Sequence, residues 1–254
     1  FLICAFCALR SRKIPLDLGL FFRPGREMVR RFLRYSSPVI LNEAVWGMGN
    51  SLLTVILGYT DNSVEMLAAN AVIGNLNRLF LVVCFGLGAA TGVLVGKAIG
   101  EGRSREQVMA LSRSLLLFAV LVGGGIAVCA LILVPVLFVP VIFPLFKLYG
   151  ESAAIAAAMA ATGFASIPLH AYAISAVTGV LRSGGDVNWA TALDLLPQWF
   201  VALPVTALFA LVFKLGCWPI AIAMQLESCL KVPLCAWRIR DGKWIHDVTK
   251  GREG

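Results

Sequence analysis

Long apolar stretches separated by short polar segments run through this sequence, and six of them are long enough to cross a membrane as helices. They cover about residues 36–59, 66–99, 109–134, 153–181, 188–213 and 216–237. A helix rises about 1.5 Å per residue, so about 20 apolar residues cross a hydrocarbon layer of roughly 30 Å. The stretches lack the period-two alternation of membrane strands. The pattern therefore predicts an all-α integral membrane protein, a bundle of six transmembrane helices.

The composition agrees with a membrane protein. Of the 254 residues, 59% are hydrophobic and 14% are charged, whereas soluble domains have about 25% charged residues. The net charge of +8 raises the question of nucleic-acid binding. The basic residues lie at the ends of the apolar stretches, where membrane orientation explains them. We therefore expect the lipid bilayer as a partner, and no nucleic acid.

The distribution of Lys and Arg predicts how the spans are oriented. Of the 22 basic residues, 18 fall on one side of the six-span layout, and only Lys147 and Lys214 fall on the other. Arg78 and Lys231 lie within spans. Basic residues accumulate on the cytoplasmic side of membrane proteins. We therefore expect a multi-pass protein of the cytoplasmic (inner) membrane with its carboxyl terminus in the cytoplasm.

The ends of the chain differ from the spans in composition. Residues 1–9 are apolar and precede a basic segment, the reverse of a signal peptide, so we interpret them as the end of a preceding transmembrane helix. Residues 10–35, with eight Lys and Arg against two acids, predict a basic cytoplasmic linker along the headgroups. Residues 36–237 then form the six-helix lobe, and residues 238–254 form a cytoplasmic tail.

A carboxylate inside the first span is the strongest functional signal. Glu43 lies about two turns inside the predicted cytoplasmic end and shares a helix face with Trp46 and Asn50, at i, i+3 and i+7. Asn42 is adjacent. A charge at this depth costs several kcal/mol unless it faces water, has a partner or binds a proton. We predict a functional carboxylate in a transporter-like cavity; the alternative is a buried acid paired for packing only.

Other polar residues inside the spans have less specific interpretations. Asp194 and Gln198, one turn apart on the fifth span, predict a mouth for cationic substrates. The alternative for Asp194 is a favourable position near the amino terminus of its helix. Glu227 and Lys231, at i and i+4, are interpreted as a structural pair. Arg78 is interpreted as a structural residue that faces the cavity or extends to the membrane surface.

The glycines and cysteines of the sequence indicate helix packing, and not a nucleotide, metal or redox site. Gly88, Gly92, Gly96 and Gly100 recur at four-residue spacing, which predicts the close approach of another helix. They match neither of two patterns of a nucleotide-binding loop, GxGxxG and a loop that ends in GKS or GKT. The seven cysteines are interpreted as small buried hydrophobes, because the one CxxC pair has no second pair of ligands. We expect no metal site, no cofactor and no enzymatic activity.

Four segments of the chain are familiar in sequence and in order: LNEAVWGMGN, FGLGAATGVLVGKAIGEG, GVLRSGGDVNW and LESCLKVPLCAWRIRDGKW. Together they resemble the MATE (multidrug and toxic compound extrusion) family. The resemblance implies a transporter of twelve helices in two six-helix lobes, of which this chain is the carboxyl-terminal lobe. The missing amino-terminal six-helix lobe is then its partner, and one lobe is not expected to transport without the other.

The same resemblance implies roles for individual residues. Glu43 matches the carboxylate that many members use for cation or drug coupling. Some members that use sodium also have an acid in the helix where this chain has His170 and Tyr172 and neither Asp nor Glu, although Tyr172 can supply an oxygen ligand. The coupling ion is thus H⁺ or Na⁺, with a proton favoured. The residues expected to line the substrate cavity are Asn42, Trp46, Asn50, Arg78, Tyr172, Asp194 and Gln198.

The implied function is a cation-coupled antiporter for multidrug efflux, which exports small organic, mainly cationic, drugs or metabolites. One alternative is a flippase for lipid-linked oligosaccharides of the same superfamily. Such a flippase needs a larger and more basic cavity, whereas the charges within these spans are mixed. The other alternative is a membrane scaffold that transports nothing, in which Glu43 is dispensable.

Overall fold

The computed structural model describes residues 25–245, and this part of the chain consists of helices joined by short turns, without strands. The predicted helix end at 1–9, most of the predicted linker and the last residues of the tail lie outside the described residues. The chain divides into two compact units between Leu41 and Asn42. All of the contacts reported below lie within the second unit.

Seven helical segments account for the predicted spans in the described part. In chain order they are α1 (Arg26–Gly58), α2 (Ser63–Gly100), α3 (Arg105–Leu145), α4 (Glu151–Ala165), α5 (Ile167–Leu181), α6 (Val187–Val212) and α7 (Cys217–Asp241). Five of them are long and apolar enough to cross a membrane, in α1 over Val39–Gly58. The pair α4 and α5, bent by 45°, provides the sixth span. The predicted bundle of six membrane helices is confirmed.

Prolines explain where these helices depart from regular α geometry. Pro135 and Pro140 lie in the π-helical turns of α3, at Val134–Ile142. Pro197 directly precedes the π-helical turn Gln198–Ala202 of α6. Pro168 lies in the first turn of α5, next to the bend. A proline has no backbone N–H to donate and its ring meets the preceding turn, so the helix widens or bends there.

Glycines allow α2 and α5 to approach closely, as their spacing predicts. A Cβ added at Gly88 would lie 2.9 Å from a methyl carbon of Ile174, and one added at Gly92 would lie 3.6 Å from the carbonyl of Gly179. From the other side, a Cβ added at Gly179 would lie 2.7 Å from Thr91. At Gly92, α2 therefore faces the backbone of α5 directly, and at Gly88 and Gly179 the missing side chains leave room for Ile174 and Thr91, so α2 and α5 pack closely.

Two buried apolar clusters pack the helices. Along α7, Ile220 belongs to the first cluster and Ile239 to the second. Glu227 and Lys231 of α7 fall between these two positions in the sequence. Of the cysteines in the described part, Cys84 and Cys235 are buried as predicted and Cys217 is half-buried, but the same interpretation is wrong for Cys129 and Cys229, which are exposed on the helix surface.

Candidate functional site

Charged side chains from four parts of the chain form one continuous set of ion pairs, which we call the charged cluster. It comprises Glu43 of α1, Arg182 directly after α5, Asp194 of α6, and Glu227 and Lys231 of α7. In the order Glu43, Arg182, Asp194, Lys231 and Glu227, the charged nitrogen and oxygen atoms of neighbouring residues are no more than 3.7 Å apart. The cluster thus joins four elements that are distant in the sequence.

Lys231 is the innermost member of the charged cluster. Its Nζ lies 2.5 Å from Oε1 of Glu227 and 2.7 Å from Oδ1 of Asp194. Only 7% of the Lys231 side chain is exposed. An ammonium removed from water requires such partners, because an unpaired buried charge is strongly unfavourable. The predicted pair of Glu227 and Lys231 is present, and Asp194 is its additional partner.

Glu43 is the open end of the charged cluster. Its Oε1 accepts hydrogen bonds from both Nη atoms of Arg182, at 3.2 Å each. Even so, 56% of the Glu43 side chain is exposed, against 15% for Arg182. The carboxylate is therefore paired on one side and open on the other, and a second cation can approach it there.

Polar side chains attach α1 to the cluster from its inner face. Asn42 Nδ2 donates to Oδ2 of Asp194 at 2.9 Å, and Trp46 Nε1 donates to Oε1 of Glu227 at 3.3 Å. Gln198 Nε2 donates to the carbonyl of Trp46 at 3.2 Å and lies directly against Gly49. Asn42, Trp46 and Gly49 share one helix face. This face therefore fixes where Glu43 is presented.

The rigid turn after α5 positions Arg182. The backbone N–H of Asp186 donates to the carbonyl of Leu181 at 3.0 Å, and Gly185 adopts φ +88°, which favours glycine. The buried Trp244 ring lies against Gly184. Arg238 forms a buried ion pair of 2.7 Å with Asp186. The SGGD sequence and the residues after α7 therefore hold the backbone from which Arg182 extends.

The charged cluster has one more acid than base among the described residues. With all groups ionised, Glu43, Asp194 and Glu227 contribute three negative charges, and Arg182 and Lys231 contribute two positive ones. No group of three or more His, Cys, Asp or Glu residues in the described part has the arrangement of a metal site. The cluster is therefore suited to accept one positive charge at its open end, at Glu43.

The structure brings together most, but not all, of the residues that the sequence singles out. Glu43, Asn42, Trp46, Asp194 and Gln198 meet at the charged cluster.

Three predicted cavity residues lie elsewhere. Asn50 donates from its side chain to the carbonyl of Trp46 in its own helix. Tyr172 packs against the second apolar cluster. Arg78 is exposed on α2, and within residues 25–245 no hydrogen bond or ion pair joins it to the charged cluster.

Sequence reasoning missed Arg182 and Lys231 as members of the site. Arg182 is not singled out by the sequence argument, and Lys231 is interpreted there as the partner of Glu227 alone. A signal was present in the sequence: the apolar spans carry three acids, and such acids require bases nearby. The bases that the structure pairs with these acids are Lys231, within the sixth span, and Arg182, directly after the fourth.

A smaller polar group lies in the other half of the bundle. A pocket of about 70 Å³ is lined by Asn70, Asn77, Thr162 and Gln225, among others. Gln225 Oε1 accepts from the hydroxyl of Ser166 at 2.8 Å. His170 shares hydrogen bonds with Ser166 and, at 2.8 Å, with Ser228. His170 is thus hydrogen-bonded to the side chain of Ser166, directly before α5, and to that of Ser228 in α7.

Comparisons with known proteins agree on one family. The family model described as MatE matches residues 38–208. Among curated proteins, none matches the sequence. Solved structures do match: the eukaryotic MATE transporter AtDTX14 has a TM-score of 0.75 at 18% identity, over 99% of this chain and 54% of that one.

Two further structures have similar values. An outward-facing multidrug resistance MATE family transporter of the MOP superfamily has a TM-score of 0.67 at 21% identity, covering 81% of this chain and 44% of that one. The MATE transporter ClbM in complex with Rb⁺ has a TM-score of 0.74 at 18% identity, covering 89% and 51%. This chain spans about half the length of the transporters that it matches.

Proposed function

Because the chain belongs to the MatE family of membrane transporters, we propose that it is one lobe of an antiporter that exports organic cations in exchange for a proton or a sodium ion. Glu43 is the coupling residue. The observation that carries the proposal is the state of this carboxylate, which belongs to a cluster with one excess negative charge and has 56% of its side chain exposed. A cation from solution can reach it without unfolding any helix.

Competition for one carboxylate is sufficient for exchange. A proton that binds the carboxylate removes the negative charge that attracts an organic cation, and a bound organic cation favours the ionised form. The two therefore exclude each other at Glu43. When the cavity opens alternately to the two faces of the membrane, this mutual exclusion couples their movements. Sodium can replace the proton if oxygen atoms such as those of Asn42 complete its ligands.

A proton is the favoured coupling ion. Between Ile167 and Leu181, α5 contains neither Asp nor Glu, and Tyr172 packs in the second apolar cluster. The ligands around a sodium ion at Glu43 would therefore come mainly from amides and water. A proton needs only the carboxylate oxygen.

The complete transporter contains more than this chain. Since the matched transporters are about twice as long, we propose that a second six-helix lobe faces the charged cluster and closes the cavity. The excess of Lys and Arg on one side supports our proposal that the carboxyl terminus lies in the cytoplasm and the protein in the inner membrane. This chain does not transport without the second lobe.

Substitution of Glu43 in the full-length protein tests the proposal. In cells that lack other exporters, E43Q is expected to reduce efflux of a cationic dye at least tenfold at equal expression. Glu101 provides the control, because it forms ion pairs with Lys97 and Arg103 on the exposed surface; E101Q keeps efflux at the wild-type level. Efflux that E43Q leaves intact would rule out Glu43 as the coupling residue and favour a scaffold.

The same assay identifies the coupling ion and the class of cargo. Everted vesicles energised with a proton gradient, without sodium, should support uptake of the dye, whereas a requirement for sodium assigns the coupling to Na⁺. Reconstituted protein that moves lipid-linked oligosaccharide, and not the dye, would establish the flippase alternative.

A further inference from the structure

We propose that Arg182 is an internal counter-ion, which pairs with Glu43 when the site is empty and shifts to Asp194 when an external cation binds Glu43. The inference rests on the proposed function and adds a residue to it. Arg182 thereby acts as a positioning residue that sets cation affinity and release. Without an internal cation, the open carboxylate would hold its cargo too tightly to release it.

The geometry places Arg182 between two carboxylates. Both of its Nη atoms lie 3.2 Å from Oε1 of Glu43, and Nη2 lies 3.7 Å from Oδ2 of Asp194. The first separation is a hydrogen bond, whereas the second is an ion pair without one. A small rotation of the side chain is therefore enough to exchange a strong partner for a weak one. Each ionised carboxylate has about four acceptor positions, so Asp194 can accept Arg182 and keep Asn42 and Lys231.

The hydrogen bonds of Arg182 are incomplete in this position. Within the described residues, its buried Nε has no hydrogen-bond partner. A guanidinium has five N–H donors, and here two nitrogens serve a single oxygen of Glu43. The pairing is thus weaker than a two-oxygen arrangement, in which parallel bonds form a fork. Arg182 is held near Glu43 without being locked to it.

The backbone beneath Arg182 does not need to move. Trp244 packs on Gly184, and Arg238 pairs with Asp186 at 2.7 Å. These contacts fix the turn from which the side chain extends. The exchange of partners is therefore a side-chain motion, and the cation enters at Glu43, the exposed end, while Arg182 stays inside.

The charge of the cluster specifies the cargo. Three acids and two bases leave one negative charge to be neutralised. One proton or one organic cation with a single positive charge completes the balance, and the two exchange one for one. A cation with two charges would leave the cluster positive, so we expect it to bind more weakly.

The test measures binding and turnover in the purified full-length protein with tetraphenylphosphonium as the probe. R182Q removes the competing charge a few ångströms from Glu43, so the Kd should fall by about tenfold. Turnover should fall as well, because release slows. Lower KM together with lower kcat is a signature that a merely structural role does not produce. Arg103, which pairs with Glu101 on the surface, provides the matched control, and R103Q should bind the probe as the wild type does.

An unchanged or higher Kd in R182Q overturns the inference. Should R182Q fail to fold, R182K replaces it. Lysine keeps the charge but cannot grip the carboxylate with two nitrogens, so Kd should fall by about threefold, and an unchanged or higher Kd again overturns the inference. The E43Q variant distinguishes a failure of the proposed function from a failure of the proposed role of Arg182. If E43Q binds the probe normally, the proposed function fails; if E43Q loses binding while R182Q is unchanged, only the role of Arg182 fails.

Discussion

The ammonium nitrogen of Lys231 lies 2.7 Å from a carboxylate oxygen of Asp194, and this ion pair joins α6 to α7 inside the protein. Both side chains are mostly buried, with 7% and 18% exposed. The pair belongs to the charged cluster, whose other end reaches solvent at Glu43. The same side chains therefore hold two helices together and set the electrostatic field at the site.

Removal of the buried ammonium should destabilise the protein strongly. K231M leaves Asp194 and Glu227 without their shared cation, and breaking a buried pair in this way costs about 3–5 kcal/mol. Thermal unfolding in detergent should show a large decrease in Tm. K97M is the control, because Lys97 is 69% exposed and 3.7 Å from Glu101, and surface pairs contribute less than about 1 kcal/mol. Similar Tm values for the two variants would contradict this prediction.

A methyl group added at Gly49 should disturb the packing of α1 against Gln198 of α6. A Cβ there would lie 2.6 Å from the amide carbon of Gln198, which is buried. We expect G49A to lower the free energy of unfolding by about 1–3 kcal/mol, as overpacking does. Gly47, two residues earlier, has no atom within 4 Å of an added Cβ. G47A should therefore be neutral or stabilising by up to about 1 kcal/mol.

A second substitution checks the cause of the G49A defect. Q198A removes the side chain that the added methyl group meets, so the double variant G49A/Q198A should lose less stability than the two single changes would by addition. Simple additivity in unfolding experiments would mean that the defect arises elsewhere.

The turn after α5 should be sensitive to a small change at Gly184. A Cβ at this position would meet the Trp244 ring and would lie 2.8 Å from the backbone oxygen of Trp244. G184A should therefore lower Tm and, by shifting the turn, reduce cation binding as well. Gly124 has no atom within 4 Å of an added Cβ, and G124A should leave both measurements unchanged or raise Tm slightly. Normal binding by G184A would show that the turn does not position Arg182.

Two ion pairs of similar length should differ in their contribution to stability, because one is buried and the other is exposed. Arg238 pairs with Asp186 at 2.7 Å, with side chains 10% and 7% exposed, and lies over the Trp189 ring at 4.8 Å. R238Q should cost about 3 kcal/mol. Lys214 and Asp61 are 3.0 Å apart but 64% and 70% exposed, so K214Q should change stability by well under about 1 kcal/mol. Equal losses in denaturation experiments would contradict this assignment.

The sequence was sufficient for the spans because hydrocarbon imposes one simple rule. Every backbone polar group must be satisfied inside the segment, and so a long apolar stretch predicts a helix. Helical spacing also identified the face of α1 that carries Glu43 and Trp46. What periodicity cannot supply is the identity of the neighbouring helix. Arg182 reaches Glu43 across 139 positions in the chain, and only the packing of α5 brings them together.

Asn50 shows that a shared helix face does not determine which contacts a side chain makes. It lies on the same side of α1 as Glu43, yet its side chain bonds to the carbonyl of Trp46, one turn before it. Local bonds of this kind compete with contacts between helices. Arg78 was selected for its charge within a span and is exposed on the α2 surface. In both cases the residue type identified a polar side chain within a span, and the neighbouring atoms determined which contacts that side chain makes.

The glycine-lined contact between α2 and α5 acts as a spacer for the site. Gly179 lies three positions before Arg182, and Thr91 touches the place where its side chain would be. A larger residue at position 179 would push the end of α5 outward and lengthen the reach from Arg182 to Glu43. The geometry of the charged cluster can therefore be changed remotely, from a contact between two helices that lies outside the cluster.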